Sequence, residues 1–205
     1  NWLPYYVLED ASGSVMSEGT LVQCNRAYHP ADFSGLNMIN VVTVDLRGEG
    51  LSSPSTSSVM ADGQTVYASE ESLYVATTKW FDWVELQRTA DAAGDGDAPV
   101  EAPEVATSIH KFDISDPSSS TYVATGSVPG SVLNQYSLSE HNGYLRIATT
   151  QESPWWGWQP RSGEESSSSL YVLETVPGDA GSTLEIVGQV DDLGRGERIF
   201  AVRYM

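Results

Sequence analysis

Cysteine, lysine and histidine are scarce in this chain. Cys24 stands alone, so an internal disulfide framework and a cysteine-rich zinc site are both excluded. Lysine occurs only at Lys79 and Lys111, and histidine only at His29, His110 and His141. No run of about 18 apolar residues exists, so no segment reads as a membrane-spanning helix. Positive charge is outweighed by acid: 28 Asp and Glu face 10 Lys and Arg, a formal charge of -18. A field of that sign repels phosphate backbones and argues against nucleic acid as a partner. Helical periodicity is nearly missing too. Its one weak trace, from Trp80 to Thr89, could place Phe81, Val84 and Leu86 on one side.

The 205 residues suffice for one domain of ordinary size. Serine is abundant, with runs at Ser57-Ser58, Ser118-Ser120 and Ser166-Ser169. The acidic excess is spread along the chain rather than gathered in a tail, which reads as surface solvation. An acidic, lysine-poor surface suits high salt, so a marine or halophilic source is one expectation. An acidic protein of no special habitat is the other. The start at Asn1 and the stop at Met205 inside a strand-like run suggest a processed or truncated piece of something longer.

What fills the chain is short β-branched and aromatic runs bounded by Gly, Pro, Ser and Asp. They are Ile39-Leu46, Thr65-Ser69, Leu73-Thr78, Ser108-Ile114, Tyr122-Val128, Gln135-Leu138, Tyr144-Thr150, Ser169-Leu173, Leu184-Val190 and Arg198-Tyr204. The class is all-β. The runs also repeat. Thr65-Val66-Tyr67-Ala68-Ser69, a turn and Leu73 to Thr78 are matched about 69 residues on by Asn134-Gln135-Tyr136-Ser137-Leu138, a turn and Tyr144 to Thr150. Both units close on Ala-Thr-Thr. Glu197 to Val202 begins the unit again, and Asn40 to Leu46, Ser108 to Ile114 and Ser169 to Glu174 are counterparts in its outer half.

Four antiparallel strands per tandem unit is the pattern of a β-propeller blade. The reading is a partial propeller: outer strands of one blade in 1–60, whole blades in 61–130 and 131–190, and the first strand of the next in 191–205. Long inserts, Lys79-Ala106 and Gln151-Ser167, stretch the period. Open blade faces and strand edges should need covering by the rest of a ring, a second chain or a rearrangement.

These segments resemble a family of secreted bacterial and archaeal proteins with a β-propeller domain. The similarity is carried by Thr65-Ser69 with Ser72-Ala76, Ile109-Phe112, Leu133-Leu138 running through Glu140-Thr150, Gly196-Met205 and, near the start, Leu3-Tyr6. The resemblance implies export, further blades beyond Met205 and no agreed catalytic residues.

Candidate chemistry is sparse. The histidines lie at no metal-ligand spacing, and no Gly-x-Ser-x-Gly elbow occurs. Asp91, Asp95 and Asp97 alternate as calcium ligands can, yet no glutamate closes an EF-hand loop, so a solvated loop is the competing reading. No other cofactor is expected. Asp113-Ile114-Ser115-Asp116-Pro117 reads as a capped strand-end turn. Trp155, Trp156 and Trp158 lie between Pro154 and Pro160, and Trp80, Phe81 and Trp83 lie on the other insert. Such aromatics stack on sugars, anchor a protein, or fold back over a blade. Both inserts follow a second strand and should leave one rim. Arg146, in a strand stacked on both faces, should find a carboxylate. Cys24 reads as an unreactive or externally paired thiol.

The functional expectation is a non-enzymatic extracellular or cell-envelope module that binds or scaffolds protein or glycan. The alternative is a carbohydrate-active hydrolase or lyase with paired carboxylates at its channel.

Overall fold

The computed structural model describes residues 4–30, 32–47, 53–79, 105–151, 165–178 and 181–205. The described residues contain strands and two short 3-10 turns and no α-helix. One blade is the antiparallel meander β6 (Thr65–Ala68), β7 (Ser72–Lys79), β8 (Ala106–Asp113) and β9 (Thr121–Pro129). The next is β10 (Leu138–His141), β11 (Tyr144–Gln151), β12 (Ser167–Val176) and β13 (Ser182–Leu193). Their outer strands meet through a short parallel contact, Ser182 with Ala124 and Thr183 with Thr125.

The blades pack face to face, and strand alternation decides what each side chain meets. Tyr74, Ala76 and Ile109 turn toward the second blade, where Leu138, Leu145, Ile147, Tyr171 and Leu173 complete one core. Leu73, Val75 and Phe112 turn the opposite way, onto Val59, Ala61, Ile39 and Val41. The β6–β9 blade is therefore buried on both sides, so β7 and β8 read as unbroken apolar and hydroxyl runs rather than alternating ones. Each fully buried aliphatic in these layers stabilises the stack by about 1.5–3 kcal/mol.

The covering sheet before that blade is β3 (Ala27–Tyr28), β5 (Ser55–Met60) and β4 (Met38–Thr43) in that spatial order. β5 is serine-rich and absent from the expected strands. Its hydroxyls replace apolar packing: Ser57 Oγ accepts the Tyr122 N–H at 3.1 Å, and Ser58 Oγ donates to Asn40 Oδ1 at 2.6 Å. A separate hairpin, β1 (Tyr5–Glu9) with β2 (Val15–Thr20), was also not among the expected strands. Asp10 makes its turn by accepting the Ser12 and Ser14 N–H groups.

Two expectations need correction. Gln135–Ser137 is a 3-10 turn, not a strand, because Asn134 Oδ1 accepts the Tyr136 N–H at 3.0 Å and starts the turn. The inner strand therefore begins at Leu138. Tyr67, opposite Tyr74, corresponds to Ser139, opposite Arg146, rather than to Tyr136. Residues 198–204 form no strand either. An inner strand is held by its hairpin partner, and none of the described strands pairs with this segment. It lies instead along the second blade, with the Ile199 N–H on Thr150 Oγ1 at 3.1 Å and Tyr204 Oη on the Ser137 carbonyl at 2.8 Å.

Candidate functional site

Three polar joints organise the stack. The first explains the recurring Ala-Thr-Thr. In each blade the first threonine donates to a carbonyl of the linker that enters that blade: Thr77 to Asp62, and Thr149 to Pro129 at 2.7 Å. The second threonine meets a hydroxyl on the third strand, Thr78 with Thr107 and Thr150 with Ser168, each at 3.3 Å. Glycines complete the joint. The Gly130 N–H donates to the Val105 carbonyl at 2.7 Å, and the Gly196 N–H to that of Ser166 at 2.7 Å. Both glycines have positive φ, 88° and 76°, where a side chain is strained.

These bonds bring the roots of both long inserts to one place. Thr107 Oγ1 donates to the Gly130 carbonyl at 2.7 Å, and Ser131 exchanges two backbone hydrogen bonds with Thr150, each 2.9 Å. The linker Pro129–Ser131 thus touches the start of β8 on one side and the end of β11 on the other. The inserts leave from that end of both blades, as the strand order requires.

The second joint lies toward the other end, between the blades. Glu140, on inner strand β10, receives Ser69 Oγ and, at 3.1 Å, Ser72 Oγ from the β6–β7 turn. Its backbone N–H donates to Tyr67 Oη at 2.9 Å. Lys111 Nζ stands 3.7 Å from Glu140 Oε1, and the two side chains are 12% and 10% exposed. Lys111 also donates to Thr175 Oγ1 at 3.3 Å and lies 5.5 Å over the Tyr74 ring. Tyr74 Oη is buried without a hydrogen-bond partner, and burial beside the Glu140 charge holds its phenol far above the ordinary range. A buried carboxylate held by two hydroxyls and an ammonium is a structural clasp.

The third joint faces the preceding sheet. His110 is fully buried, and its Nδ1 lies 3.4 Å from Tyr122 Oη and 3.3 Å from Thr125 Oγ1. Its Nε2 has no partner. Desolvation, aided by the Lys79 charge, lowers its pKa to about 4. Tyr122 meets Tyr28 and His110 at tilted angles and Phe112 edge to face, and Arg26 reaches across to the Ser120 carbonyl and Ser55 Oγ.

Arg146 departs from the expectation of a carboxylate partner. Among the described residues it donates to Ser139 Oγ at 2.8 Å and its guanidinium lies 4.9 Å over the Tyr204 ring, while Nε is buried without a partner. A hydroxyl and a ring face take the place of the acid. The strand-end turn forms as read: Asp113 and Asp116 accept the Ser115 and Ser118 hydroxyls at 2.6 and 2.7 Å and their N–H groups at 2.8 and 2.9 Å, which lowers both carboxyl pKa values. Cys24 is a free, exposed thiol, and His29 and His141 are exposed.

Trp80, Trp83, Trp155, Trp156, Trp158, Asp91, Asp95 and Asp97 lie outside the described residues, as does the weak helical trace from Trp80 to Thr89. Among the described residues no group of three or more His, Cys, Asp or Glu gathers as metal ligands would, and no helix is long and apolar enough to cross a membrane. The sequence reading passed over Glu140 and Lys111. Their signal was weak: a lone lysine in an apolar strand, and an acid beside an Asn-Gly turn.

Face-to-face four-stranded blades joined by a repeated threonine clamp define a β-propeller. The chain belongs to the beta propeller domain family, whose pattern it matches over residues 1–205. It is 39% identical over 83 residues to an uncharacterized protein of Methanocaldococcus jannaschii, covering 40% of this chain and 11% of that protein. It is 42% identical over 78 residues to an uncharacterized protein of Archaeoglobus fulgidus, covering 38% and 10%. The matched segments thus span about a tenth of those relatives. No solved structure matches the chain.

Proposed function

We propose that this chain is a non-enzymatic, extracellular or cell-envelope propeller module that binds or scaffolds a protein or glycan through its rim inserts. The observation that carries this reading is the shared anchorage of the insert roots on Pro129–Ser131. Two tryptophan-bearing segments rooted on one linker carry residue types that suit stacking on sugars or anchoring a protein. The buried ionisable groups support it from the other side. Glu140, Lys111 and His110 are engaged in holding sheets together, not presented to solvent. The remaining blades, from further sequence or a second chain, would close the ring. An acidic, lysine-poor surface fits a salty exterior.

The test is a panel of soluble glycans titrated against tryptophan fluorescence, with released reducing ends measured in the same samples. Saturable quenching without release, lost in the Trp155→Ala/Trp156→Ala/Trp158→Ala variant, is expected for a glycan partner. Released reducing ends would overturn the non-enzymatic reading in favour of a hydrolase or lyase. For a protein partner, the same variant should lose a crosslink formed in a secreted extract. Identical behaviour of wild type and variant in both assays would overturn the role of the inserts.

A further inference from the structure

The main-chain clamp of the rim recurs once more, away from the tryptophan inserts. The Asp62 N–H donates to the Ser34 carbonyl at 2.8 Å, as Gly130 does to Val105 and Gly196 to Ser166. The loop before β4 is therefore the counterpart of the insert roots before β8 and β12. Val105 and Ser166 directly precede their strands, but Gly35, Leu36 and Asn37 stand between Ser34 and β4 as an extra bulge. The bulge is braced. Asn37 Nδ2 donates to Asp62 Oδ1 at 2.6 Å, and Lys79 Nζ donates to the Phe33 carbonyl, tying the loop to the root of the first insert. Gly35 has a φ of 119°, and a Cβ there would collide with the Asp62 carboxyl. Leu36, 85% exposed, and Phe33, 59% exposed, stand outward from this frame.

The linker from β9 to β10 crosses the same end one junction on. Thr77 donates to the Asp62 carbonyl, Thr78 meets Thr107, and Thr107 donates to the Gly130 carbonyl. This line of hydrogen bonds runs across the end of the β6–β9 blade and sets the two linkers about one sheet spacing, ~10 Å, apart. The second linker presents Leu133 and Tyr136, 47% and 67% exposed. They lie between two complete four-stranded blades, so no further blade enters there.

The polar side chains of both loops are turned onto their own frame. Ser34 Oγ donates to the Asp32 carbonyl, Asn37 is held by Asp62, Asn134 Oδ1 accepts the Tyr136 N–H, and Ser131 Oγ donates to the Thr150 carbonyl. A sugar needs placed hydrogen-bonding groups beside an aromatic face, and Leu36 and Leu133 supply neither. Exposed apolar side chains on braced backbone fit a protein surface. Charge sets its fringe: Asp32 is the one charged side chain in 32–37 and 130–137, on a chain of formal charge -18. We propose that Phe33, Leu36, Leu133 and Tyr136 form a docking surface for a partner protein whose contacting segment offers apolar side chains flanked by lysine or arginine. The proposal rests on the rim-binding reading and narrows its partner from glycan or protein to protein.

The probe is a phage-displayed library of random peptides, selected on the full chain and sequenced. Enriched peptides should combine leucine, isoleucine or phenylalanine with lysine or arginine. Once synthesised, they should shift the amide NMR signals of 32–37 and 130–137. Leu36→Ser/Leu133→Ser should bind them at least about tenfold more weakly, with the unfolding midpoint of wild type because both side chains are exposed. The Trp155→Ala/Trp156→Ala/Trp158→Ala variant separates the two readings. Loss in the serine variant alone keeps this surface and removes the role of the inserts. Loss in the tryptophan variant alone keeps the inserts and overturns this surface, whereas loss in both supports both. The proposal is also overturned by no enrichment, by peptides that bind both variants as they bind wild type, or by soluble glycans that shift the same amides.

Discussion

His110 makes the joint between the first blade and the preceding sheet sensitive to acid. Its imidazole is fully buried, Nε2 has no partner, and the Lys79 charge adds to the cost of protonation. The folded pKa is lowered from 6.5 to about 4. The unfolded chain therefore binds a proton that the folded chain refuses. The resulting stability is fully present above pH 6.5 and is lost as the pH falls toward 4. A difference of about 2.5 units at 1.36 kcal/mol each is about 3 kcal/mol, most of it lost before the aspartates titrate. The assay is urea unfolding by tryptophan fluorescence at fixed ionic strength from pH 7 to 4.5, for wild type and His110→Gln. The variant lacks the titrating group, so its lead or deficit relative to wild type should shift by about 2–3 kcal/mol in its favour across that window. A constant difference at every pH would refute the argument, as would an NMR titration placing the His110 imidazole pKa near 6.5.

Gly126 lies under the outer strand of the next blade: an added Cβ would sit 2.7 Å from Leu184 Cβ and closer still to the Leu184 carbonyl. Gly126→Ala should cost about 1–3 kcal/mol, whereas Gly188→Ala, whose Cβ would meet only Val172 at 3.7 Å, should change the unfolding midpoint little. Lys111→Met leaves Glu140 buried without its cation and should cost about 3 kcal/mol or more, with part recovered in Lys111→Met/Glu140→Gln; a double variant as unstable as the sum of both singles would deny the pairing. Thr149→Val removes the donor to the Pro129 carbonyl and should cost about 1–3 kcal/mol in chemical denaturation, with Thr77→Val behaving alike at Asp62.

Much of this architecture was legible because propeller strands pair locally. The runs at Thr65–Ala68, Thr121–Pro129 and Tyr144–Gln151 were bounded by turn residues, and Ser72–Lys79 and Tyr144–Gln151 carried the same Ala-Thr-Thr triplet. What escaped had a physical reason in each case. β5 is built from hydroxyl residues whose bonds to Asn40 and to the Tyr122 N–H are long-range and leave no periodic mark. The register slip at Gln135–Ser137 arose because a tyrosine in a capped turn imitates the strand tyrosine Tyr67. Arg146 was expected to need an acid because strand burial was legible, but the ring of Tyr204 arrives from far along the chain. The clasp around Glu140 joins four strands and a turn, so no local pattern could mark it.

The two kinds of joint divide the labour of the repeat. The first threonine and the glycine of the clamp are backbone-directed: their acceptors are the carbonyls of Asp62, Pro129, Val105 and Ser166, which any sequence supplies. These bonds can therefore recur from blade to blade, and they do, at Thr77 and Thr149 and at Gly130 and Gly196. The Lys111–Glu140 clasp is built from side chains on particular strands, and its counterpart positions in the second blade are different residues. Lys111 pairs with Tyr74 where Val172 pairs with Arg146. A repeated main-chain clamp fixes blade spacing, while a side-chain clasp used once distinguishes one blade interface from the next. A chain of similar blades needs that distinction to stack in order, because the main-chain clamp alone would accept any neighbour.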